Sequence, residues 1–402
     1  MTDLAAATPR YAAKKEAILA AATADLNARG AKGMTLAGVA GRVGLITSSV
    51  TYYFRKKEDL AVAVLLRGVE TLDGLAAAAG EAPTAEARVF RFLDLYLDLN
   101  RRMRMGEACP LPWFNEIPAL KPAQREPATE AFAAMFRRVR SLFSGPEFEG
   151  LSRLDRNART HLLLEQAFWT RGWLHRYDVE DYGRVRDRMF DILVNGLAAP
   201  GRTWAPGPAP AAPVGDPARE EFLKAASRLM NQRGYRGASV EDISAELNVT
   251  KGSFYHHLDA KDDLVEACVR RSLDALRTVQ MTVRAGPGTA WDKLTTAVAA
   301  LVALQVSDYG PLLRNSVLSS LPPDLERSLA DQYATLNLRS ASLVADGVVD
   351  GSLRPVDPMI AAQMIAATLS GGATLPLWAP GVTVEAAPEA FARPLFVGVL
   401  QP

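Results

Sequence analysis

Residues 249–258 read VTKGSFYHHL, and residues 45–54, at a fixed offset of 204, read LITSSVTYYF. The same offset pairs NQRGYRG at 231–237 with NARGAKG at 27–33, and KDDL at 261–264 with KEDL at 57–60. Chance matches in an alanine-rich chain would not keep one register over such a window, so the sequence contains an internal repeat. A single core rarely exceeds about 250–300 residues. The chain has 402 residues, so at least two domains are expected.

Copy one predicts two short helices joined by a tight turn. Apolar residues recur at helical spacing over 14–26, and Thr35 is placed to cap the helix that follows. Gly44 suits a tight turn before a second short helix at about 47–54. Ile46 is a poor capping residue, so we expect Thr47 or Ser48 to cap this second helix.

Copy two follows the same plan. Ser239, with Asp242 three residues later, resembles a capping box, and Thr250 is placed to cap a helix that runs to Leu258. A helix, a tight turn and a short second helix are the arrangement that places one helix in a DNA major groove. Many helical hairpins have no DNA function, so spacing alone leaves both possibilities open.

The sequence of these regions resembles a known family. The runs 234–243 and 249–258, followed by KDDL, are similar to the recognition-helix region of the tetracycline-repressor-like (TetR) family of bacterial regulators, and 30–45 and 52–60 resemble it in copy one. The resemblance implies an all-α chain in which each helix-turn-helix domain precedes an α-helical ligand-binding and dimerisation domain. Because family members bind DNA as two-fold dimers, two copies in one chain imply a single-chain pseudo-dimer.

This plan predicts five segments, separated where proline and glycine accumulate between the copies. They are helix-turn-helix domain one at 1–60, helical regulatory domain one at 61–198, an extended linker at 199–217, helix-turn-helix domain two at 218–264 and helical regulatory domain two at 265–402. By family likeness, segments 155–176 and 181–197 would pack with 324–347 and 357–373 in a bundle that joins the halves. Simple core packing within each half is the alternative.

The expected DNA contacts are polar or basic side chains on or near the reading helices, because hydroxyl, imidazole and ammonium groups reach phosphates and base edges. Gly252 would allow close backbone approach. In copy one the expected contacts are Lys14, Thr35, Thr47, Ser48, Ser49, Thr51, Tyr52, Tyr53 and Lys57. In copy two they are Ser239, Thr250, Lys251, Gly252, Ser253, Tyr255, His256, His257 and Lys261. Adjacent histidines on a helix point in different directions, so no metal site is expected there.

The two copies differ in charge and in motif. Copy one has Ile46, Thr47 and Thr51 where copy two has a threonine, a lysine and a tyrosine. However, residues 1–66 contain nine basic and five acidic residues, for a net charge of +4, whereas 216–270 contain eight and ten, for −2. Lys14, Lys15 and 55–57 are therefore expected phosphate contacts, and we expect an operator with two unequal half-sites.

The helical regulatory regions contain aromatic clusters that suit either a core or an apolar ligand pocket. The pocket candidates are Trp113, Phe114, Phe136, His161, Trp169, Trp173, Trp291, Tyr309 and Trp378, with His161, Arg171 or His175 as polar anchors in half one. An aromatic stripe is more often core than pocket. The effector itself cannot be read from the sequence.

Composition and motifs limit the other functional classes. The net charge is +1, the two cysteines lie far apart, and the first ten residues lack a signal-peptide pattern, so a cytoplasmic protein without membrane segments is expected. No phosphate loop, G-x-S-x-G or H-E-x-x-H motif occurs, so neither an enzyme nor a bound cofactor or metal is expected.

The sequence therefore predicts a ligand-responsive transcriptional regulator. We expect a repressor that binds a pseudo-palindromic double-stranded operator, is released by a small, largely apolar effector, and can associate further with itself. The alternative is a regulatory or interaction protein in which one or both DNA-binding domains have lost their function.

Overall fold

The first half of the chain, residues 9–198, is a series of helices. The computed structural model describes residues 9–211, 216–247, 261–314, 317, 321 and 323–401. The helices of half one are α1 (Pro9–Gly33), α2 (Leu36–Arg42), α3 (Thr47–Tyr53), α4 (Lys57–Gly80), α5 (Ala85–Arg104), α6 (Pro122–Ser141), α7 (Arg153–Trp169) and α8 (Tyr182–Asn195), with a 3₁₀ helix at Phe114–Ala119.

Half two, residues 216–401, is also helical. Its helices are α9 (Pro217–Gly237), α10 (Val240–Glu246), α11 (Lys261–Ala285), α12 (Ala290–Val306), α13 (Pro323–Val349), α14 (Pro358–Gly372), α15 (Leu375–Trp378) and α16 (Arg393–Val397), with a π-helical turn at Pro388–Ala392. Residues 202–211 between the halves form no helix. Within the described part of the chain, no helix combines the length and apolar character needed to cross a bilayer.

The helix boundaries confirm the internal repeat. Shifted by 204 residues, the first and last residues of α2 coincide with those of α10, and α4 and α11 start at equivalent positions. Both α1 and α9 are kinked at an equivalent glycine, Gly30 with φ 66° and Gly234 with φ 70°. Only glycine adopts this left-handed region without a steric cost, which explains why both copies keep it.

The predicted caps are partly correct. Thr35 accepts a hydrogen bond from the backbone N–H of Gly38 at 3.0 Å, and Ser239 forms a capping box with Asp242. The prediction that Thr47 or Ser48 caps α3 is wrong. Instead α3 begins at Thr47 with Ile46 in the capping position, and no side chain caps it. The predicted cap at Thr250 lies outside the described residues.

One hydrophobic core runs through both halves. It includes Leu65 and Phe92 of half one together with Ile365 and Phe396 of half two. The core of helix-turn-helix domain one belongs to this cluster through Ile18, whereas the corresponding residues of domain two form a separate cluster. The two DNA-binding domains are therefore supported differently by the rest of the molecule.

Helix α7 forms the main junction between the halves. Its polar side chains reach half two: Gln166 Nε2 donates to Met364 O at 3.0 Å, and Trp169 Nε1 donates to Gln363 Oε1 at 3.0 Å. Helix α14 packs against both α7 and α8, as expected for segment 357–373. The expected pairing of segment 324–347 with half one is wrong, since α13 packs mainly against α11, α12 and α14 within its own half.

Candidate DNA-binding and effector sites

Helices α2 and α3 form a compact helix-turn-helix unit in half one. Val39 of α2 and Val50 of α3 are fully buried, and Gly44 takes a positive φ of 64° in the turn between them. Asp25 of α1 lies buried beneath this unit and accepts from the side chain of Arg42 at 3.3 Å. The buried apolar face fixes the orientation of α3, so its opposite face is open to a partner.

The exposed face of α3 carries the predicted DNA contacts. Thr47, Ser48, Thr51 and Tyr52 are exposed, and Ser49 and Tyr53 are partly exposed. The Tyr52 side chain is 75% exposed, although its ring lies near those of Tyr53 and Tyr11. A hydroxyl-rich helix face with an exposed phenol matches the donors and acceptors that protein–DNA contacts use. Each of these residues remains a prediction as a DNA contact.

Basic side chains surround this face. Lys14, Lys15, Arg55 and Lys56 are all exposed. Lys57 is partly engaged, because its Nζ donates to the carbonyl of Lys32 at 2.7 Å, at the end of α1. The ammonium group satisfies a helix-terminal carbonyl there and retains two further donors. The Thr35 hydroxyl is occupied by its capping bond, although the residue is exposed.

The corresponding reading element of half two is only partly described. Ser239 Oγ accepts from the backbone N–H of Asp242 at 3.1 Å, and Asp242 Oδ2 accepts from the Ser239 N–H at 3.1 Å. The Ser239 hydroxyl therefore acts in the helix cap. The other predicted contacts lie outside the described residues or have side chains outside the description: Thr250, Lys251, Gly252, Ser253, Tyr255, His256, His257 and Lys261.

Each DNA-binding domain is held to its regulatory region by an asparagine, which the sequence reasoning missed. Asn27 donates to Leu111 O at 2.9 Å and accepts from Trp113 N at 2.9 Å. Asn231, its equivalent in half two, donates to Leu312 O at 2.8 Å and accepts from Arg314 N at 2.9 Å. The available signal was that an asparagine recurs at the repeat offset. We name 111–113 and 312–314 the anchor loops.

Both anchor loops are also attached to the α7 region of half one. Arg171, two residues beyond the end of α7, donates to Leu111 O at 2.8 Å and to Pro112 O at 3.0 Å, and its guanidinium lies 3.8 Å from the Trp113 ring centre. Burial lowers the pKa of Arg171, and burial raises the pKa of the nearby Tyr96 to about 12. In the other anchor loop, Arg314 binds both oxygens of Glu165 of α7 at 2.8–2.9 Å.

The nine aromatic and histidine pocket candidates are scattered through the packing. Phe136 stacks on Trp378 at 4.7 Å, Phe114 contacts Phe132, and Trp173 contacts Tyr177. The His161 Nε2–H donates to Gly371 O at 2.9 Å, and the Trp291 indole donates to Thr203 O at 3.0 Å. Trp113 lies beneath Arg171, Trp169 bonds Gln363, and Tyr309 lies beneath Arg271. None of the nine lines the half-two cavity described next.

A small cavity lies inside the regulatory region of half two. Its volume is about 40 Å³, and it is bounded by α11, α12, α13 and α14. Apolar side chains form most of its wall, among them Leu294, Leu301 and Leu369, while Arg284 and Arg339 also border it. The Oε1 atom of Gln280 in this wall is buried without a hydrogen-bond partner. This cavity was not predictable from the sequence, because its wall combines residues of four separate helices.

The buried turn unit, its exposed polar face and the surrounding cations define the class of protein: a helix-turn-helix DNA-binding regulator. Comparison with known proteins identifies the family. The model of bacterial regulatory proteins of the tetR family matches twice, at residues 18–64 and 222–268. The chain is therefore a TetR-like regulator, in which the region similar to this family occurs twice in tandem.

Individual relatives cover smaller parts of the chain. The HTH-type transcriptional repressor KstR2 of Mycolicibacterium smegmatis is 27% identical over 146 residues, covering 34% of this chain and 68% of the relative. KstR2 of Rhodococcus jostii is 40% identical over 58 residues, covering 14% of this chain and 28% of that relative. The solved structure of the ketosteroid transcriptional regulator KstR2 of Mycobacterium tuberculosis aligns at 19% identity and a TM-score of 0.37, over 46% of this chain and 96% of that chain.

Proposed function

We propose that this chain is a ligand-responsive transcriptional repressor that binds a pseudo-palindromic operator as a covalent pseudo-dimer. The observation that carries the proposal is the tandem occurrence of the family's DNA-binding region on two halves that share one hydrophobic core. Two reading units on one folded body can meet two half-sites of the same duplex. On this proposal the protein acts on the chromosome in the bacterial cytoplasm.

The proposal divides the chain into five functional segments. The reading domains are 1–60 and 218–264, the regulatory domains are 61–198 and 265–402, and 199–217 is the linker. The absence of helix over residues 202–211 supports the linker assignment. The interface of α7 and α8 with α14 supports a pairing of the regulatory domains like that between two protomers.

Proximity of the two DNA-binding domains also supports the pseudo-dimer. Helices α1 and α9 contact each other directly. The pKa of Asp242 in half two is lowered, first by the hydrogen bond from the Ser239 hydroxyl and also by nearby cations that include Lys32 of half one. Salt screens exposed charges from each other beyond about 10 Å. An effect of Lys32 on Asp242 therefore fits two DNA-binding domains that are close neighbours.

Salt-dependent gel shifts on the protein's own promoter test DNA binding. Each phosphate contact contributes about 0.9 to the slope of log K against log salt. The double variant Arg55→Ala/Lys56→Ala should reduce that slope by about 1.8. Arg125→Ala, an exposed arginine on α6, is the matched control and should leave it unchanged. A wild-type protein that binds this promoter no better than random DNA would contradict the proposal.

We propose that the half-two cavity is where the effector acts. Ligand pockets usually measure about 300–1,000 Å³, so a cavity of about 40 Å³ must expand to admit one. Expansion would move α14, whose Met364 and Thr368 bind Gln166 of α7. Because Glu165 of α7 and Arg171, two residues beyond its end, hold the two anchor loops, a shift of α7 would reach both DNA-binding domains.

An apolar fluorescent anion, anilinonaphthalene sulfonate, can probe this cavity, since its rings suit the apolar wall and its sulfonate suits the arginines. Fluorescence should rise on binding and operator affinity should fall. Ala297→Val, which occupies the cavity from α12, should abolish both effects, whereas Ala330→Val at an exposed site on α13 should preserve them. Equal probe binding by the wild type and Ala297→Val would reject this location.

A second candidate is a regulator that reads DNA through half one alone. The net charge of −2 over residues 216–270 favours it, because acidic surfaces are repelled by phosphates. Footprinting distinguishes the two candidates: the pseudo-dimer protects two half-sites, with unequal contacts, and the single reader protects one.

A further inference from the structure

A single buried glutamate lies between the two DNA-binding domains. Glu116 belongs to the 3₁₀ helix Phe114–Ala119 of half one and is only 7% exposed. This 3₁₀ helix packs against α1 of the first domain and, more extensively, against α9 of the second. A buried carboxylate requires hydrogen-bond partners, and here the kinked ends of two helices surround it.

One carboxylate oxygen faces the first domain. Glu116 Oε2 accepts from the backbone N–H of Ala31 at 2.7 Å, a charge-assisted bond of ordinary strong geometry. A Cβ atom on Gly30 would lie 3.1 Å from the same oxygen, closer than an ordinary contact. The carboxylate therefore lies against Gly30, where α1 is kinked. A larger residue at position 30 would strain the backbone and push the Glu116 side chain away.

The other oxygen faces the second domain at the equivalent position. A Cβ atom on Gly234 would lie 3.4 Å from Glu116 Oε1, in van der Waals contact. Gly30 and Gly234 are partners in the internal repeat and share the same left-handed conformation. The two oxygens of one side chain thus lie against the same structural feature of both copies.

Among the described residues of half two, the position equivalent to Glu116 is a valine and not a carboxylate. The anchor loops 111–113 and 312–314 match at an offset of 201, through the bonds of Asn27 and Asn231, and this register pairs Glu116 with Val317. Val317 is 1% exposed and packs in the core of the second DNA-binding domain. Two carboxylates between the same domains would repel each other at short range, so one is sufficient and a second would be unfavourable.

We propose that Glu116 is a positioning residue that joins the two DNA-binding domains and sets their separation for two half-sites on one duplex. This inference rests on the proposed pseudo-dimer. When two separate chains bind one operator, the spacing of their DNA-binding domains is set anew each time the chains associate. In this chain, one side chain of half one fixes that spacing. Glu116 should therefore raise the affinity for DNA only when both DNA-binding domains are bound at once.

The test compares affinity for the full operator with affinity for a duplex that carries one half-site. Glu116→Gln keeps the side-chain volume but replaces one acceptor with a donor, and Glu116→Ala removes both acceptors. Each should weaken full-operator binding by about tenfold or more and leave half-site binding unchanged. Glu130→Gln, an exposed glutamate on α6, is the control. Equal loss on both duplexes, or no loss on either, would overturn the proposal.

A distance measurement tests the same role without DNA. Spin labels at Gly41→Cys and Ala245→Cys occupy exposed, repeat-equivalent positions on α2 and α10. Cys109→Ser removes the accessible native thiol, and Cys268 is fully buried. Wild type should give one narrow distance distribution and Glu116→Ala a broad one; an unchanged distribution would overturn the proposal. If wild type fails to bind the full operator, the proposed function fails, while this measurement still judges the positioning role.

Discussion

Removal of one partner from the Glu165–Arg314 ion pair should destabilise the junction between the halves. Arg314 Nη2 lies 2.9 Å from Oε1 and 2.8 Å from Oε2 of Glu165, and the side chains are 14% and 9% exposed. Loss of one member of a buried pair costs about 3–5 kcal/mol, because the other charge is left buried and unpaired. With some access to water at both groups, we expect about 3 kcal/mol for Glu165→Leu.

The double variant separates pairing from burial. Glu165→Leu/Arg314→Met removes both charges and keeps apolar volume, so its free energy of unfolding should lie within about 1 kcal/mol of wild type. The exposed pair of Asp98 and Arg101, with side chains 48% and 39% exposed, is the control, and Arg101→Met should cost less than about 1 kcal/mol.

Urea unfolding followed by tryptophan fluorescence measures these differences. The single variants Glu165→Leu and Arg314→Met should each shift the urea midpoint downward with little change in slope. The double variant should recover most of the lost stability. A double variant that loses the sum of the two singles would show that the residues act independently. Singles that cost less than about 1 kcal/mol would show that the pair is solvated like a surface pair.

The helix cap at Ser239, the kink at Gly30 and the buried His161 can each be tested by substitution. Ser239→Ala should lower the free energy of unfolding by about 1 kcal/mol through loss of the capping box, measured by thermal melts against the exposed control Ser328→Ala. Gly30→Ala should cost about 1–3 kcal/mol, because a φ of 66° with a ψ of 170° is a conformation that essentially only glycine adopts; a cost below about 0.5 kcal/mol would contradict the kink's rigidity. Burial lowers the pKa of His161 below 6.5, Glu165 opposing and Arg314 adding to the shift. The neutral His161 side chain therefore contributes fully to the stability of the folded state above pH 6.5, and this contribution is lost as the pH falls. Between pH 7 and 5, His161→Gln should lose less free energy of unfolding than wild type, as measured by urea midpoints.

The caps of α2 and α10 and the turn of copy one were predictable from sequence because their signals are local. Thr35, Gly44 and Ser239 each act within a few residues of their own position, so spacing alone places the caps and the turn. The cap of α3 was not predictable in this way. Burial of Val50 and Phe54 against the domain core holds that helix, and it starts at Thr47 without a side-chain cap.

The junction between the halves was much less accessible to sequence reasoning. Gln166, Glu165 and Arg171 contact residues that are distant in sequence, and nothing in their local pattern indicates those partners. The aromatic residues show the same limit. Phe136 and Trp378 stack across the two halves, yet their sequence spacing fits a pocket and a core equally well.

The stoichiometry of the operator complex shows whether one chain occupies both half-sites. Native mass spectrometry of the protein bound to a duplex with both half-sites counts chains and duplexes together. A covalent pseudo-dimer should give one chain per duplex, with the same ratio as protein is added to saturation. Two chains per duplex, each using one DNA-binding domain, would contradict it.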